Sequence, residues 1–251
     1  MSPIYFLVIV MIRYILLLCF ISLSYAQSPG SFSQSKKIAA QLFQKHQQTI
    51  YCQCSYEDKE VNLASCGMQA ADSIKRAHRI EWEHIMAAEH FGQQFACWRE
   101  LMCEDKHGKP YKGRRCCEKI DEQFRHVEAE LYNLWPEVGV VNQARSNYRF
   151  SVLPEQPDYL GCTMKIDKKL RRAEPPDSAK GVVARAYLFM AEHYGLSLSS
   201  SQRQLFMSWN KTFPPSSWEK QWALQVAAIE GYENPYIINW QEHASQRIVS
   251  R

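Results

Sequence analysis

No internal repeat, low-complexity tract or Gly/Ser-rich linker interrupts the 251-residue sequence. Those absences argue against a solenoid array, a disordered chain and a string of flexibly tethered modules. Zinc-site spacing is missing too. Cys52-x-Cys54 and the adjacent Cys116-Cys117 lack the gap of roughly two to four residues found in zinc knuckles. No His-x-x-x-His pair accompanies the acidic residues, and Glu89-His90 lies six residues beyond His84, poor spacing for one helix face. A zinc hydrolase is therefore disfavoured. Nor is there a strong charge of one sign. The net charge of +4 permits a polyanionic partner without demanding one. Past Cys162 no cysteine occurs.

What is present has a globular balance, 46% hydrophobic and 22% charged. The first 26 residues stand apart. Arg13 precedes the apolar run Tyr14 to Ile21, and Ser24-Tyr25-Ala26 supplies small residues at the two positions a signal peptidase reads. Ile4 to Tyr25 is long enough to span a bilayer, but Arg13 sits in its middle. The expectation is a cleaved leader over residues 1–26 rather than an anchor, with residues 27–251 as one mature domain. Met11, followed by Ile12-Arg13, would make the more ordinary start. Nine cysteines occur; with Cys19 in the leader, eight remain. An even count in an exported chain points to disulfides among Cys52, Cys54, Cys66, Cys97, Cys103, Cys116, Cys117 and Cys162.

Periodicity predicts an α+β fold, mostly helical with a small β component. A first helix is expected over Ser31–Thr49, a short strand over Arg79–Ile85 and a polar, lysine-rich loop over Glu104–Arg115. A long helix is expected over Lys119–Leu134, stopped by Pro136, and a new turn near Asn142. Asp177 reads as an N-cap and Gly195 as a C-cap. Ser199 with Gln202, and Ser216 with Glu219, make capping-box patterns, and the second helix runs to Gly231. The seven tryptophans recur among aliphatics, so core packing is the expectation for most, with base stacking as the alternative.

The densest chemistry is Glu81-Trp82-Glu83-His84. Phosphodiester hydrolysis needs a base for water, a hard cation and a cationic group for developing charge. Histidine suits the first role and glutamate oxygen suits a hard cation. A surface strand with exposed glutamates and one satisfied histidine is the alternative. Neighbouring strand residues face opposite ways, so Glu83 and His84 require a strand end or a bulge. Asn142 offers a neutral amide oxygen, or else caps a helix. Basic residues gather at Lys106, Lys109, Lys112, Arg114, Arg115 and again at Lys165, Lys168, Lys169, Arg171, Arg172. Such clusters hold a phosphate backbone without reading bases, or are merely solvated loops.

EWEH (81–84), FG (91–92), KGRRC (112–116), EAELYNL (128–134), VNQARSNY (141–148), AEPPDSAKG (173–181), LFMSWNKTFP (205–214) and NPYI (234–237) stand in one order along the chain. In these motifs the sequence resembles the endonuclease I family of exported bacterial nucleases, over nearly the whole mature chain. The resemblance implies a ββα-metal motif embedded in a mostly helical fold, and Mg²⁺-dependent, sequence-independent cleavage of DNA and RNA that leaves 5′-phosphates. It implies His84 as general base, Glu83 and Asn142 as ligands of one Mg²⁺ (Ca²⁺ or Mn²⁺ as substitutes), Arg114 on the phosphate and Glu128 as an acidic residue near the site. Lys112, Arg115 and Arg145 would contact the nucleic-acid backbone. A monomer is expected, periplasmic or secreted and free of the membrane once the leader is removed.

Two departures stand out. Met86-Ala87-Ala88 replaces a Val-Pro-Ala usual after the histidine, and a late cysteine pair is lacking while Cys103 and a doubled Cys116-Cys117 are present. Set against the family, this implies that one disulfide has moved. The expected pairs are Cys54–Cys66, Cys52–Cys162, Cys97–Cys117 and Cys103–Cys116. A degenerate, non-catalytic nucleic-acid binder would retain the basic loops but lose the base or the ligands, all of which stand here.

Overall fold

The computed structural model describes residues 28–245. The expected leader lies outside them. Helix α1 (Phe32–Leu42) is capped by Ser31, whose side chain accepts from Gln34 N–H. It stops well short of Thr49. Phe43 turns inward to meet Trp82, Trp135, Trp218 and Trp222 at centroid distances of 5.1–5.9 Å. The following loop is held by Ile50 N–H donating to the carbonyl of Pro136, so tertiary contacts override helical periodicity here.

Strands β1 (Tyr56–Glu57) and β2 (Glu60–Val61) form a small hairpin. Strand β3 (Ile80–His84) follows, then helices α2 (Ala88–Gly92) and α3 (Ala96–Arg99). The polar loop folds into the hairpin β4 (Cys103–Glu104) and β5 (Pro110–Tyr111), and helix α4 (Arg114–Ile120) begins at Arg114. The single helix expected over Lys119–Leu134 is broken. Asp121 ends α4 and caps α5 (Glu122–Ala129) by accepting from Phe124 N–H. Glu130 leaves the helical region, and Leu134–Val138 is strand β6, antiparallel to β3. Pro136 thus lies inside a strand. The β3–β6 ribbon has only two strands, so a residue without N–H is tolerated on an edge.

Helix α6 (Gly139–Arg145) places Asn142 mid-helix, with Val138 at the cap position; the turn begins three residues earlier than the expectation near Asn142. Gly139 abuts the 75–79 turn, where an added Cβ would sit 2.7 Å from the Arg76 carbonyl oxygen. Strands β7 (Arg149–Phe150), β8 (Lys165–Asp167) and β9 (Arg172–Glu174) form a mixed sheet in the order β7-β9-β8. The chain closes with α7 (Asp177–His193), α8 (Ser200–Thr212), α9 (Ser217–Glu230), α10 (Pro235–Ile238) and α11 (Trp240–Ser245). Ser199 and Ser216 cap α8 and α9 by accepting from Gln202 and Glu219 N–H, and Gly231 ends α9 in the left-handed region. Asp177 is the first residue of α7 rather than its cap. Gly195 follows the capping Tyr194 at φ 65°. Helix α7 is buried over most of its length, and Tyr187 stacks on Phe206 of α8 at 4.3 Å.

Four disulfides join Cys52–Cys162, Cys54–Cys66, Cys97–Cys117 and Cys103–Cys116, the pairs expected from the sequence. Glu137 lies beside Cys52 and Cys162, but their sulfurs are bonded to each other and offer no thiolate to a metal. No helix among the described residues is long and apolar enough to cross a membrane.

Candidate active site

An open cleft of about 750 Å³ runs along β3. One edge of β3 pairs with β6; the other borders the cleft. Helix α1 brings Phe32 and Lys36 to one flank, and α6 brings Asn142 and Arg145 to the other. This answers the alternation problem without a bulge. The strand stays regular to its last residue, His84, which pairs with Leu134. Because the cleft straddles a free edge, both faces of the strand reach it.

His84 is buried, 4.5 Å from the Phe32 ring, with Phe91 edge-on at 6.0 Å. Its Nε2 lies 2.8 Å from the carbonyl oxygen of Glu128. A carbonyl only accepts, so Nε2 carries the proton and Nδ1 is the bare nitrogen. Burial and the nearby Arg114 guanidinium push the imidazolium pKa down to about 3, so the ring is neutral at physiological pH. The result is a base with its acceptor atom already defined.

Glu83, 3% exposed, takes hydrogen bonds from Tyr51 Oη (2.9 Å) and pairs with Arg145 Nη1 (2.8 Å), both on Oε1. Oε2 has no hydrogen-bond partner among the described residues. Burial raises the carboxyl to about 7, opposed by Arg145. Asn142 is half-buried on the cleft wall, its Nδ2 3.4 Å from Glu81 Oε2. Glu81 is itself gripped by Arg76 Nε and Nη2 at 2.8 and 2.6 Å and by Arg79 Nη2 at 3.1 Å.

Arg114, first residue of α4, hydrogen-bonds through Nε to Glu128 Oε1 at 2.5 Å. Its Nη groups have no hydrogen-bond partner among the described residues. Glu128 therefore serves two groups with two atoms: its carbonyl orients His84 and its carboxylate orients Arg114.

The basic residues divide. Lys112 and Arg115 are exposed by the β4–β5 hairpin, outside the cleft wall, with Lys112 Nζ donating to the Arg99 carbonyl at 2.7 Å. Arg145 corrects its expected role. It is 1% exposed, and besides Glu83 its guanidinium holds the carbonyls of His84 (2.9 Å) and Ile85 (2.5 Å). Its Nη groups are taken up by these partners and its Nε is buried without one, so at this depth in the cleft wall it braces Glu83 and the end of β3 instead of reaching out to a nucleic-acid backbone. Sequence reading missed Tyr51, which no local pattern marks, since its contact with Glu83 spans 32 residues. Glu81 was visible in the EWEH segment, two residues from Glu83 and hence on the same strand face.

Residues 22–241 match the family described as Endonuclease I. The chain is 38% identical to an extracellular deoxyribonuclease of Aeromonas hydrophila, covering 82% of this chain and 88% of that one. It is also 38% identical to a periplasmic deoxyribonuclease of the same species, covering 84% and 87%. An Endonuclease-1 of Buchnera aphidicola subsp. Acyrthosiphon pisum is 35% identical, covering 82% and 80%.

Proposed function

The chain belongs to the endonuclease I family, and we propose that it is an exported, Mg²⁺-dependent endonuclease that hydrolyses DNA and RNA without base specificity, as a monomer. The observation that carries the reading is the His84–Glu128 hydrogen bond, which leaves Nδ1 as an acceptor inside a cleft walled by Glu83, Asn142 and Arg114. The mature chain is read as one nuclease domain, residues 27–251.

The donor set fits a hard divalent cation. Glu83 Oε2 and the Asn142 amide oxygen are the oxygens proposed to hold it, and a buried carboxyl raised to about 7, with Arg145 as its one counter-ion among the described residues, would be drawn to its ionised form by a dication. When bound, the ion supplies Lewis-acid polarisation of the scissile phosphate. His84 Nδ1 takes a proton from water as the water oxygen attacks phosphorus in line. The P–O3′ bond breaks, its electron pair stays on O3′ and is protonated by solvent, and the 5′-phosphate remains. The free Nη groups of Arg114 donate to the phosphoryl oxygens as charge accumulates, held at the right angle by Glu128. Contacts to backbone phosphates alone would leave cleavage blind to sequence.

Digestion of supercoiled plasmids by the oxidised mature protein tests this. Cleavage of unrelated plasmids in Mg²⁺ that EDTA abolishes is the expected result, with His84→Ala about 10²–10⁴-fold slower. Binding without cleavage under every divalent metal would replace the nuclease with a degenerate nucleic-acid binder.

A further inference from the structure

Strands β7 and β9 run parallel with Arg149 registered directly beside Arg172. Both side chains are exposed. Like charges placed side by side on a sheet are destabilising. Neither forms an ion pair: the arginine and lysine ion pairs among the described residues go to Arg76, Arg79, Arg114, Arg145, Lys180 and Arg185. Asp167 faces Arg172 from β8 without closing an ion pair, and its Oδ1 accepts from Leu170 N–H at 2.8 Å. Glu174 on β9 is taken by Lys180 at 2.9 Å and by Leu153 N–H at 2.8 Å. Arg172 Nη1 donates to the Arg171 carbonyl at 3.1 Å, and Arg149 makes no hydrogen bond among the described side chains.

The pair opens onto a second cavity, of about 560 Å³, whose opposite wall is the N-terminus of α8 with Ser199 and Ser201. The first N–H groups of a helix lack intrahelical acceptors, and that end carries the positive pole. Ser199 Oγ takes the Gln202 N–H and shares a hydrogen bond of 3.1 Å with Ser201 Oγ, so one hydroxyl proton of the two is left over. Together with the two guanidinia outside any ion pair and the positive pole of the helix, it makes a site for a tetrahedral oxyanion. The basic run ending at Arg172 thereby acquires a focus that the catalytic cleft leaves unused.

We infer that this hollow binds a backbone phosphate of the nucleic-acid substrate, away from the scissile bond, as a second anchor; the inference rests on the nuclease reading. Ser146 lines the catalytic cleft and Arg149 follows three residues later, so their Cα atoms lie within about 11 Å. That is the axial span of roughly three base pairs. A strand leaving the cleft past Ser146 meets Arg149 within a few phosphates.

The test is the variant Arg149→Gln/Arg172→Gln in the mature oxidised chain. Its affinity for a duplex of about 20 base pairs is measured in EDTA by fluorescence anisotropy across a KCl series. One lost phosphate contact lowers the slope of log K against log[salt] by about 0.9. In Mg²⁺, KM for the duplex should rise, while hydrolysis of bis(p-nitrophenyl) phosphate, which reaches only the cleft, stays as in the wild type. Arg149→Lys/Arg172→Lys should retain the slope. An unchanged slope in the Gln variant overturns the inference. Thermal stabilisation of the wild type, but not the Gln variant, by inorganic phosphate alongside an unchanged duplex slope also overturns it, marking a free-anion site. If the wild type cleaves nothing yet the slope still falls, the nuclease reading fails and the phosphate anchor stands.

Discussion

Glu128 is the residue on which the geometry of the site converges. Its carbonyl defines the tautomer of His84 and its carboxylate aims Arg114. Side-chain substitution separates the two services, because any residue at this position retains the carbonyl. Glu128→Ala should loosen Arg114, leaving its Nε to the half-exposed Glu118 Oε1 at 3.2 Å, while leaving His84 oriented. A hydrogen bond to a charged group contributes about 1.5–3 kcal/mol, so turnover should fall roughly 10–100-fold. The double variant Glu128→Ala/Arg114→Ala should be little worse than Arg114→Ala alone, since the carboxylate acts through the arginine. Steady-state kinetics on plasmid measures both. Additive losses would mean that Glu128 has its own role at the phosphate.

At the scale of the element, β3 and α6 form a unit clamped at two points. Arg145 ties the end of α6 to the carbonyls of His84 and Ile85, and Gly139 lets its start press against the 75–79 turn. Gly139→Ala would drive a Cβ into the Arg76 carbonyl oxygen, which is backbone and cannot rotate away. The helix must shift, and Asn142 with it. The expected cost is about 1–3 kcal/mol in unfolding free energy. The Mg²⁺ concentration for half-maximal activity should rise several-fold, since one of its two proposed ligands moves. Urea melts and a metal titration of the same variant check the two effects, and a variant matching the wild type in both would remove Gly139 from the argument. The same region explains the misread helix at Lys119–Leu134. Its apolar spacing is genuinely helical, but Asp121 terminates one helix to start another, and pairing with β3 takes Leu134–Val138 into a strand.

Across the whole molecule, buried carboxyls give folding a particular pH dependence. Glu130 accepts from Tyr194 Oη (2.7 Å) and Tyr232 Oη (2.8 Å), and Tyr232 also reaches Glu230. Burial and then the charge of Glu230 raise Glu130 from an ordinary 4.5 to about 8, and burial raises Glu230. The folded state thus binds a proton more tightly than the unfolded chain. Its contribution is fully present below pH 4.5 and is lost as pH rises through about 8. Glu83 and Glu137, also raised by burial, act in the same direction. Buried His84 and His90, both lowered, act oppositely as pH falls below 6.5. Glu130→Gln keeps the shape and removes the titration. The urea midpoint of the wild type should drop more between pH 5.5 and 8.5 than that of the variant, and equal drops would exclude Glu130 as a source.

The caps at Ser199, Ser216 and Gly231, the short strand carrying EWEH and the export-type cysteine content were set by local sequence, because caps, alternation and composition act over a few residues. Motif order along the chain was enough to assign the family. Tertiary structure alone decided what no window of sequence contains. It put the cleft along the free edge of β3, so that two side chains of opposite orientation share it. It turned Arg145 inward to Glu83 across 62 residues and joined Tyr51 to the same carboxylate, because a buried charge must find its partners wherever the fold brings them. And it set Arg149 beside Arg172, a pairing that exists only because β7 and β9 lie parallel in one sheet.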